Sequence, residues 1–445
     1  MPRVLLINPW IHDVAAYDLW LKPLGLLVIG GLLRSCGIEA SLIDCLDCAQ
    51  PAQRSVRPRP PVRRGDGSGH FHKKNLPCPE MLRPFNMPFR RYGIAPEALR
   101  AAIAGQPRPD AVFVGSMMTY WYTGVIETIA HVRNCLPGVP VFLGGVYATL
   151  CPGHARANST ADRVFTGTFT PDMLREMGFT PPQPDAAGFI MPDCSLLATF
   201  GSVPLLTSRG CPNRCAYCAA HLLYAGFEQC GPEHIVRSVQ DWHRRSGARD
   251  FVIYDDALLI KAEQHFIPFA QALIRLGLPV RLHIPNGLHV RYMTDEVARL
   301  LKAAGCAAIR LGFESADERL QAATGGKTSN DDYLRAARAL LNAGFTRDQV
   351  GVYILAGLPG QLAEQVAASI RFVHASGLRP FVSEYSPIPG TAMWDAAVAA
   401  SPFPIVDEPL FHNNSLLPCR WEGCTPEDVH LLKRFARRPD APYLC

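Results

Sequence analysis

Residues 207–218 read Thr-Ser-Arg-Gly-Cys-Pro-Asn-Arg-Cys-Ala-Tyr-Cys and place Cys211, Cys215 and Cys218 at Cys-x3-Cys-x2-Cys spacing in one loop. Iron–sulfur clusters take their cysteine ligands from short local runs of this kind. Three thiolates can hold three corners of a cubane 4Fe-4S cluster and leave the fourth iron open to another ligand. Because His221 follows closely, a structural Cys3His zinc site is the alternative interpretation of the same spacing.

The cysteine loop directly follows the first strand of a region in which apolar strands alternate with amphipathic helices. Six such units in about 200 residues are typical of an incomplete (β/α)6 barrel, whose reactive groups lie at the C-terminal ends of the strands. This large alternating unit favours the open cluster over a small zinc module. The predicted strands are 203–207, 251–255, 280–284, 308–312, 350–355 and 381–385, and the predicted helices lie near 233–246, 263–276, 294–304, 331–343 and 362–376.

A second alternation of strands and helices occupies residues 1–170 and predicts a Rossmann-like, doubly wound parallel sheet. An excursion rich in Pro, Gly and Arg, residues 48–93, interrupts it. The predicted fold class is therefore α/β, with a linker at 171–194, the barrel at 195–395 and an irregular C-terminal extension at 396–445. The predicted strands of the first unit are 4–8, 39–43, 111–115, 139–144 and 163–166, and its helices are 24–36, 96–104 and 123–135.

Composition narrows the class of protein. The chain has 445 residues, 48% hydrophobic and 19% charged, which is ordinary usage for a folded protein of two or three domains. A net charge of +5 is too small to indicate nucleic-acid binding. The longest apolar stretch, 23–33, is about half of what a membrane helix needs, and the N-terminus shows no secretory signal. We therefore expect a cytoplasmic protein, in which the odd number of 15 cysteines favours metal or redox chemistry over a disulfide framework.

The cysteine motif resembles the signature of the radical S-adenosylmethionine (SAM) superfamily, Cys-x3-Cys-x-aromatic-Cys, with Tyr217 as the aromatic residue and Arg209-Gly210 before it. The resemblance extends over the whole second unit. It implies a 4Fe-4S cluster on the three cysteines, with the amino and carboxylate groups of SAM on the open iron. One electron, from a donor such as flavodoxin or ferredoxin, would cleave SAM into methionine and a 5′-deoxyadenosyl radical that abstracts a substrate hydrogen.

The same resemblance implies which residues contact SAM besides Tyr217. Asp255 and Asp256 end the second strand, where the family contacts the methionine amino group, and an N-cap for the next helix is the alternative interpretation. Further implied contacts follow the next three strands: Asn286, then Glu314 or Ser315 for the ribose or amino acid moiety, then Gly357 for adenine. Ordinary loop and tight-turn chemistry is the alternative for these positions.

The first unit resembles the cobalamin-binding-type domain that precedes many radical SAM barrels. The resemblance rests on residues 8–9, 23–26, 115–116 and 144–149. It implies that Gly144 and Gly145 let the backbone approach a flat corrin, and that Ser116 hydrogen-bonds its dimethylbenzimidazole. The Asp-x-His-x-x-Gly signature of a cobalt-ligating histidine is absent, and His12 is a poor candidate for that role.

Together these resemblances imply a radical SAM enzyme that methylates an unactivated carbon or phosphorus of an unidentified small molecule, using methylcobalamin. Ring closure or rearrangement without methyl transfer is one alternative, and a non-catalytic, zinc-stabilised binding protein is the other. A basic segment, residues 54–91, is expected to bind an acidic or phosphorylated substrate or a reductase. For the part before Gly69 the alternative is a solvated loop, whereas residues 70–94 carry more apolar side chains that can pack. The cations of the basic segment are Arg54, Arg57, Arg59, Arg63, Arg64, Lys73, Lys74, Arg83, Arg90 and Arg91.

Overall fold

The computed structural model describes residues 1–57, 59–179 and 189–438, which divide into two compact units. The first comprises Met1–Pro204 with Asp407–Leu410, and the second comprises Leu205–Val406 with the chain from Phe411 onward. The predicted linker and C-terminal extension are described only in part, because residues 180–188 and 439–445 lie outside the described residues. No helix in the described ranges is both long and apolar enough to cross a membrane.

The first unit contains a five-stranded parallel sheet, whose strands lie in the order Glu39–Asp44, Arg3–Asn8, Ala111–Val114, Val141–Leu143 and Arg163–Val164. The interior strand Arg3–Asn8 is buried at every position after Arg3, as expected for a strand covered on both faces. The order is that of a doubly wound sheet, so the predicted class is confirmed. The strands of the unit are β1 (Arg3–Asn8), β2 (Ile11–Asp13), β3 (Glu39–Asp44), β4 (Lys73–Asn75), β5 (Arg90–Tyr92), β6 (Ala111–Val114), β7 (Val141–Leu143) and β8 (Arg163–Val164).

Helices pack on this sheet through their apolar residues. The first helix buries Leu26 and Leu33 against Leu6 and Phe113 of the sheet, and it ends before Gly37, which has the left-handed φ of +69° that a C′ glycine adopts. The helices of the unit are α1 (Leu24–Ser35), α2 (Pro51–Val56), α3 (Pro96–Ala104), α4 (Tyr122–Cys135), α5 (Val146–Leu150), α6 (Pro152–Asn158) and α7 (Pro171–Glu176). The last of these lies inside the predicted linker.

The excursion folds onto the first unit. Strands β2, β5 and β4 form a three-stranded antiparallel sheet, and Phe71 and Tyr92 pack with Ile11 in a small apolar cluster. Arg63 and Arg91 point inward to the carboxylates of Asp18 and Glu127. The solvated-loop interpretation, which concerned the part before Gly69, is therefore wrong at Arg63. The cations that remain exposed are Arg54, Arg57, Arg59, Arg64, Lys73, Lys74 and Arg83.

The second unit is built on a six-stranded sheet in the order β16-β15-β14-β13-β12-β9, in which the four pairs from β12 to β16 are parallel. All six predicted strands are present in this sheet. A short antiparallel pair, β10 and β11, lies beside the cysteine loop. The strands are β9 (Val203–Leu205), β10 (Ser208–Arg209), β11 (Glu228–Gln229), β12 (Asp250–Ile253), β13 (Arg281–His289), β14 (Cys306–Glu314), β15 (Val350–Ala356) and β16 (Arg379–Glu384).

The helices of the second unit include the five that the sequence predicts. A helix at the C-terminal end, 426–437, was missed, so the prediction of irregular structure is wrong there. Its signal was available, because Thr425 and Asp428 form a capping box around Pro426. The helices are α8 (Ala220–Leu223), α9 (Pro232–Ser246), α10 (Phe266–Leu276), α11 (Asp295–Ala303), α12 (Glu318–Ala323), α13 (Asn330–Asn342), α14 (Ala363–Ala375), α15 (Trp394–Ala400) and α16 (Pro426–Arg437).

Strands β13 and β14 are irregular near their carboxyl ends. Their pairing shifts register between Ile284 and Leu288, and β14 shifts against β15 between Gly312 and Glu314. A Cβ on Gly287 would lie 3.0 Å from the amide nitrogen of Gly312, so the two backbones meet closely here. Glu314 has a left-handed φ of +72°. This backbone conformation costs free energy in a residue other than glycine, and residues that adopt it cluster at functional sites.

Candidate functional site

The cysteine loop lies between β10 and α8. Cys215 is buried and Cys211 and Cys218 are half-buried, and none of the three forms a disulfide. The Cys218 amide donates to the Cys215 carbonyl at 3.0 Å, and the Cys218 sulfur accepts from the Ala220 amide at 3.5 Å. Gly210 has a φ of +74°, and a Cβ there would lie 2.1 Å from the Gly226 carbonyl oxygen. The turn into the loop therefore requires glycine.

The chemistry of the donor set fits a 4Fe-4S cluster, whose irons take cysteine thiolates from short local runs. Across the described ranges, no three His, Cys, Asp or Glu side chains form a group that could hold one metal ion. Ligands of a zinc ion lie about 2.0–2.3 Å from it, whereas a cubane spreads its thiolates over different irons. His221, the fourth ligand of the zinc interpretation, lies in α8 and is partly exposed. Three free thiols in one loop match three corners of a cubane.

Two other segments of the second unit hold the cysteine loop by its backbone. The Ala216 amide donates to the Thr324 carbonyl at 3.0 Å, and the Ala216 carbonyl accepts from the Met393 amide at 2.9 Å. Gly325 has a φ of +113°, and a Cβ there would lie 3.2 Å from the Cys215 Cα. The turn after α12 is thus packed directly against the loop.

The two adjacent aspartates at the end of β12 have different environments. Asp255 is buried and accepts hydrogen bonds from the Thr207 amide at 2.8 Å, from the Thr207 hydroxyl, and from the Ser208 hydroxyl at 2.6 Å. Burial raises the pKa of Asp255 to about 6, and these hydrogen bonds oppose the rise. Asp256 is exposed. Asp255 therefore fastens the start of the cysteine loop, and only Asp256 offers an accessible carboxylate.

Of the remaining predicted SAM contacts, Ser315 and Gly357 directly follow β14 and β15, whereas Asn286 lies inside β13, which extends to His289 rather than ending at 284 as predicted. The Asn286 side-chain amide donates to the Tyr254 carbonyl at 2.8 Å and so ties β13 to the end of β12. The buried Ser315 hydroxyl accepts from the Asp317 amide at 3.1 Å. Gly357 has a φ of +87°, and its amide donates to the Gln361 side chain at 3.0 Å. Part of the hydrogen-bonding capacity of these residues is therefore used within the protein.

One small cavity is lined by Tyr217, Glu314 and Ser315, three of the residues that the sequence predicts as SAM contacts. Lys327, which the sequence analysis missed, lines the same cavity. The Lys327 ammonium donates to Glu314 Oε1 at 2.8 Å and lies 5.5 Å from the centre of the Tyr217 ring. The sequence signal was a lysine directly after the Gly325-Gly326 pair, in the turn after α12.

The predicted cobalamin contacts of the first unit lie together at the carboxyl edge of its sheet. The Ser116 hydroxyl donates to the Gly144 carbonyl at 2.7 Å and accepts from the Ala148 amide at 3.3 Å. Gly145 has a φ of +99°, and a Cβ there would lie 2.3 Å from the Ser116 carbonyl oxygen. A Cβ on Gly144 would meet nothing within 4 Å. Ser116 thus braces this loop, while Gly144 presents open backbone.

His12, the poor candidate for a cobalt ligand, is paired with a carboxylate in this structure. Its Nε2 lies 2.7 Å from Glu127 Oε2, and its side chain is only 7% exposed. Arg91 binds the other oxygen of the same carboxylate.

The comparison with protein families is decisive for the second unit. Residues 205–373 match the model of the radical SAM superfamily. These residues form a radical SAM domain. The match begins at the first strand of the sheet and includes the cysteine loop and α14.

Two curated proteins resemble parts of the chain. An uncharacterized methyltransferase of Pyrococcus horikoshii is 26% identical over 241 residues, which are 53% of this chain and 48% of that protein. An uncharacterized protein of Methanopyrus kandleri is 26% identical over 208 residues, which are 43% of this chain and 39% of that protein. The chain therefore spans less than half the length of either relative.

Solved structures resemble both the radical SAM domain and the first unit. TsrM of Kitasatospora setae, a radical SAM methyltransferase solved with tryptophan and a SAM analogue, has a TM-score of 0.62 at 16% identity and covers 99% of this chain and 90% of its own. OxsB, a cobalamin-dependent SAM radical enzyme solved with aqua-cobalamin and SAM, has a TM-score of 0.55 at 14% identity and covers 86% of this chain and 53% of its own. At these identities the likeness establishes the fold.

Proposed function

We propose that this protein is a cobalamin-dependent radical SAM methyltransferase. The observation that carries the proposal is the set of three free thiols, Cys211, Cys215 and Cys218, in one backbone-clamped loop at the start of the radical SAM domain. When bound there, a 4Fe-4S cluster supplies an electron and one open iron to SAM. Cleavage gives methionine and a 5′-deoxyadenosyl radical, which abstracts a hydrogen from the substrate.

The residues around the loop bind and orient SAM in this proposal. Asp256 is the exposed carboxylate that accepts from the ammonium group of SAM, while Asp255 keeps the loop in place from below. Asn286 fixes the adjoining strand end. Glu314 and Ser315 lie at the cavity beside Tyr217, and Gly357 leaves room for the adenine ring.

We assign cobalamin to the first unit, with 1–170 as its binding domain and 195–395 as the radical SAM barrel. Three features support this assignment: the doubly wound sheet, the open backbone at Gly144, and the likeness of the whole chain to TsrM and OxsB. Methyl transfer to an unactivated carbon or phosphorus of a small molecule follows as the proposed reaction. A chain that binds no corrin would instead perform radical chemistry without methyl transfer.

The electron comes from a low-potential protein such as flavodoxin or ferredoxin, and the proposed location is the cytoplasm, where such donors work. The exposed cations of the basic segment, Lys73 and Lys74 on the edge strand β4 among them, offer a surface that attracts an acidic donor. If the donor uses this surface, reduction by the protein donor slows as salt is added, whereas reduction by dithionite does not depend on the surface.

Anaerobic reconstitution tests the proposal. The protein should bind about four iron and four sulfide per chain, form 5′-deoxyadenosine with SAM and dithionite, and retain hydroxocobalamin through gel filtration. A colourless protein with one zinc would contradict the cluster, and full cluster occupancy without 5′-deoxyadenosine would indicate an electron carrier. Loss of the corrin alone would remove the methyl transfer and leave the radical reaction.

A further inference from the structure

Lys327 is a buried cation that the proposed function does not yet use. Its side chain is 13% exposed, and that of its partner Glu314 is 16% exposed. Burying two such charges is costly unless they are paired. The pair has good geometry, with 2.8 Å between the ammonium nitrogen and the carboxylate oxygen.

The backbone positions Lys327 next to the cysteine loop. Its turn touches the loop twice, through the hydrogen bond from the Ala216 amide to Thr324 and through the close approach of Gly325 to Cys215. On the other side, the ammonium group lies 3.4 Å from where a Cβ on Gly312 would be. The Lys327 side chain therefore lies between the carboxyl end of β14 and the cysteine loop.

Lys327 lies in the same small cavity as Tyr217, the aromatic residue between Cys215 and Cys218. Its ammonium nitrogen is 5.5 Å from the centre of the Tyr217 ring. The cation therefore lies beside the loop that carries the three thiols.

A cluster held by three thiolates gains negative charge when it accepts an electron. In a partly buried site this charge interacts strongly with a nearby cation, because the effective dielectric constant is low. Net charge and hydrogen bonding around a cluster are known determinants of its reduction potential. Lys327 favours the reduced state, and Glu314, which pairs with the ammonium group, weakens that effect.

We propose that Lys327 is a positioning residue that raises the reduction potential of the cluster, and that Glu314 holds Lys327 in place and moderates its charge. The proposal rests on the proposed function, since it requires the cluster. The electron itself comes from an external one-electron donor, and Lys327 changes only how readily the oxidised cluster accepts it.

The test is an EPR-monitored redox titration of the anaerobically reconstituted protein and its variants. Lys327→Met removes the cation and leaves Glu314 charged, so the ratio of reduced to oxidised cluster at a fixed potential should fall about tenfold, equal to about 59 mV for one electron. Glu314→Gln should change the ratio in the opposite direction. Lys327→Arg keeps the charge and should stay within about twofold of wild type.

Two further variants separate charge from structure. The double variant Lys327→Met with Glu314→Gln removes both charges, so its potential should return toward wild type. Lys302→Met removes a lysine that packs over the Phe345 ring in the same unit, and it should leave the potential unchanged. Iron content of each preparation shows that a full cluster is being compared.

The proposal is overturned if Lys327→Met and Glu314→Gln shift the potential in the same direction, or if neither shifts it at full iron content. If Lys327→Met fails to retain iron, the Glu314→Gln result decides: a rise supports the proposal and no change overturns it. Failure of the proposed function is distinguishable, because the wild-type protein would then bind no cluster at all.

Discussion

Two regions were predicted as cofactor sites: the cysteine loop of the second unit, and the glycine edge of the first unit, formed by Ser116, Gly144 and Gly145. They differ in the chemical groups that they present to a cofactor. The loop presents three free thiols with a buried ion pair beside them. At the glycine edge, Ser116 and Gly145 contact each other, and Gly144 contributes only open backbone. The cysteine loop would hold its cofactor through thiolate ligands, whereas the glycine edge would hold it through open backbone that leaves room for a ring. Substitutions should therefore abolish function at the loop and adjust binding at the edge.

The largest effect is expected from Cys215→Ala. Removing one of three ligands leaves a cubane with two corners bound, so iron should fall to background and 5′-deoxyadenosine formation should cease. Iron and sulfide analysis after anaerobic reconstitution measures this. Cys135→Ala, at a half-buried cysteine at the end of α4, is the control and should retain the full cluster. A cluster of normal iron content in Cys215→Ala would contradict the assignment.

Asp255→Asn should be next in size. The amide that replaces the carboxylate would face three donors of Thr207 and Ser208, and unsatisfied buried groups of this kind cost about 1–3 kcal/mol. Urea unfolding and iron retention should both report the loss. Asp256→Asn, one position along, is the matched control: it should unfold like wild type but bind SAM more weakly. Equal free energies of unfolding for Asp255→Asn and Asp256→Asn would show that the hydrogen bonds to Asp255 do not stabilise the fold more than the exposed Asp256 does.

At the glycine edge, Gly145→Ala and Gly144→Ala form a pair. Alanine at 145 would clash with the Ser116 carbonyl and adopt an unfavourable φ, a strain of about 1–3 kcal/mol. Alanine at 144 meets open space, so stability should stay within about 0.5 kcal/mol of wild type. If a corrin lies against this backbone, Gly144→Ala should nevertheless retain less hydroxocobalamin in gel filtration. Unchanged corrin retention in a stable Gly144→Ala protein would move the site elsewhere.

The smallest effect on corrin binding is expected from Ser116→Ala. The hydroxyl that braces Gly144 is lost, at a cost of about 1 kcal/mol in the free energy of unfolding. Since its proton is donated to the Gly144 carbonyl, corrin affinity should change only through the loosened loop. Thermal unfolding and corrin titration measure the two effects. A large loss of corrin affinity at unchanged stability would instead support direct contact with the dimethylbenzimidazole.

The sequence predicted the parallel sheets well because buried strands leave a strong local signal. The prediction of 111–115 corresponds to β6 at Ala111–Val114, and that of 350–355 to β15 at Val350–Ala356. The antiparallel sheet of the first unit was missed, because Lys73–Asn75 is polar and wholly exposed and has no apolar pattern. Its pairing with β5 depends on residues far along the chain.

The candidate site was predictable where a residue type alone specifies the chemistry, as with the three cysteines. It was not predictable where the role depends on tertiary contacts. Asp255 and Asp256 look alike in sequence. Only the folded structure shows that Thr207 and Ser208 donate hydrogen bonds to Asp255. Lys327 gains its importance from the packing of Gly325 against Cys215, which no local pattern reveals.

The central claim is that the loop holds a cluster with one open iron on which SAM binds. EPR of the dithionite-reduced, reconstituted protein before and after addition of SAM tests it most directly, because a ligand on the open iron changes the signal of the cluster itself. The account predicts a reduced-cluster signal that shifts with SAM and is absent from Cys215→Ala. A full cluster whose signal is the same with and without SAM would contradict it.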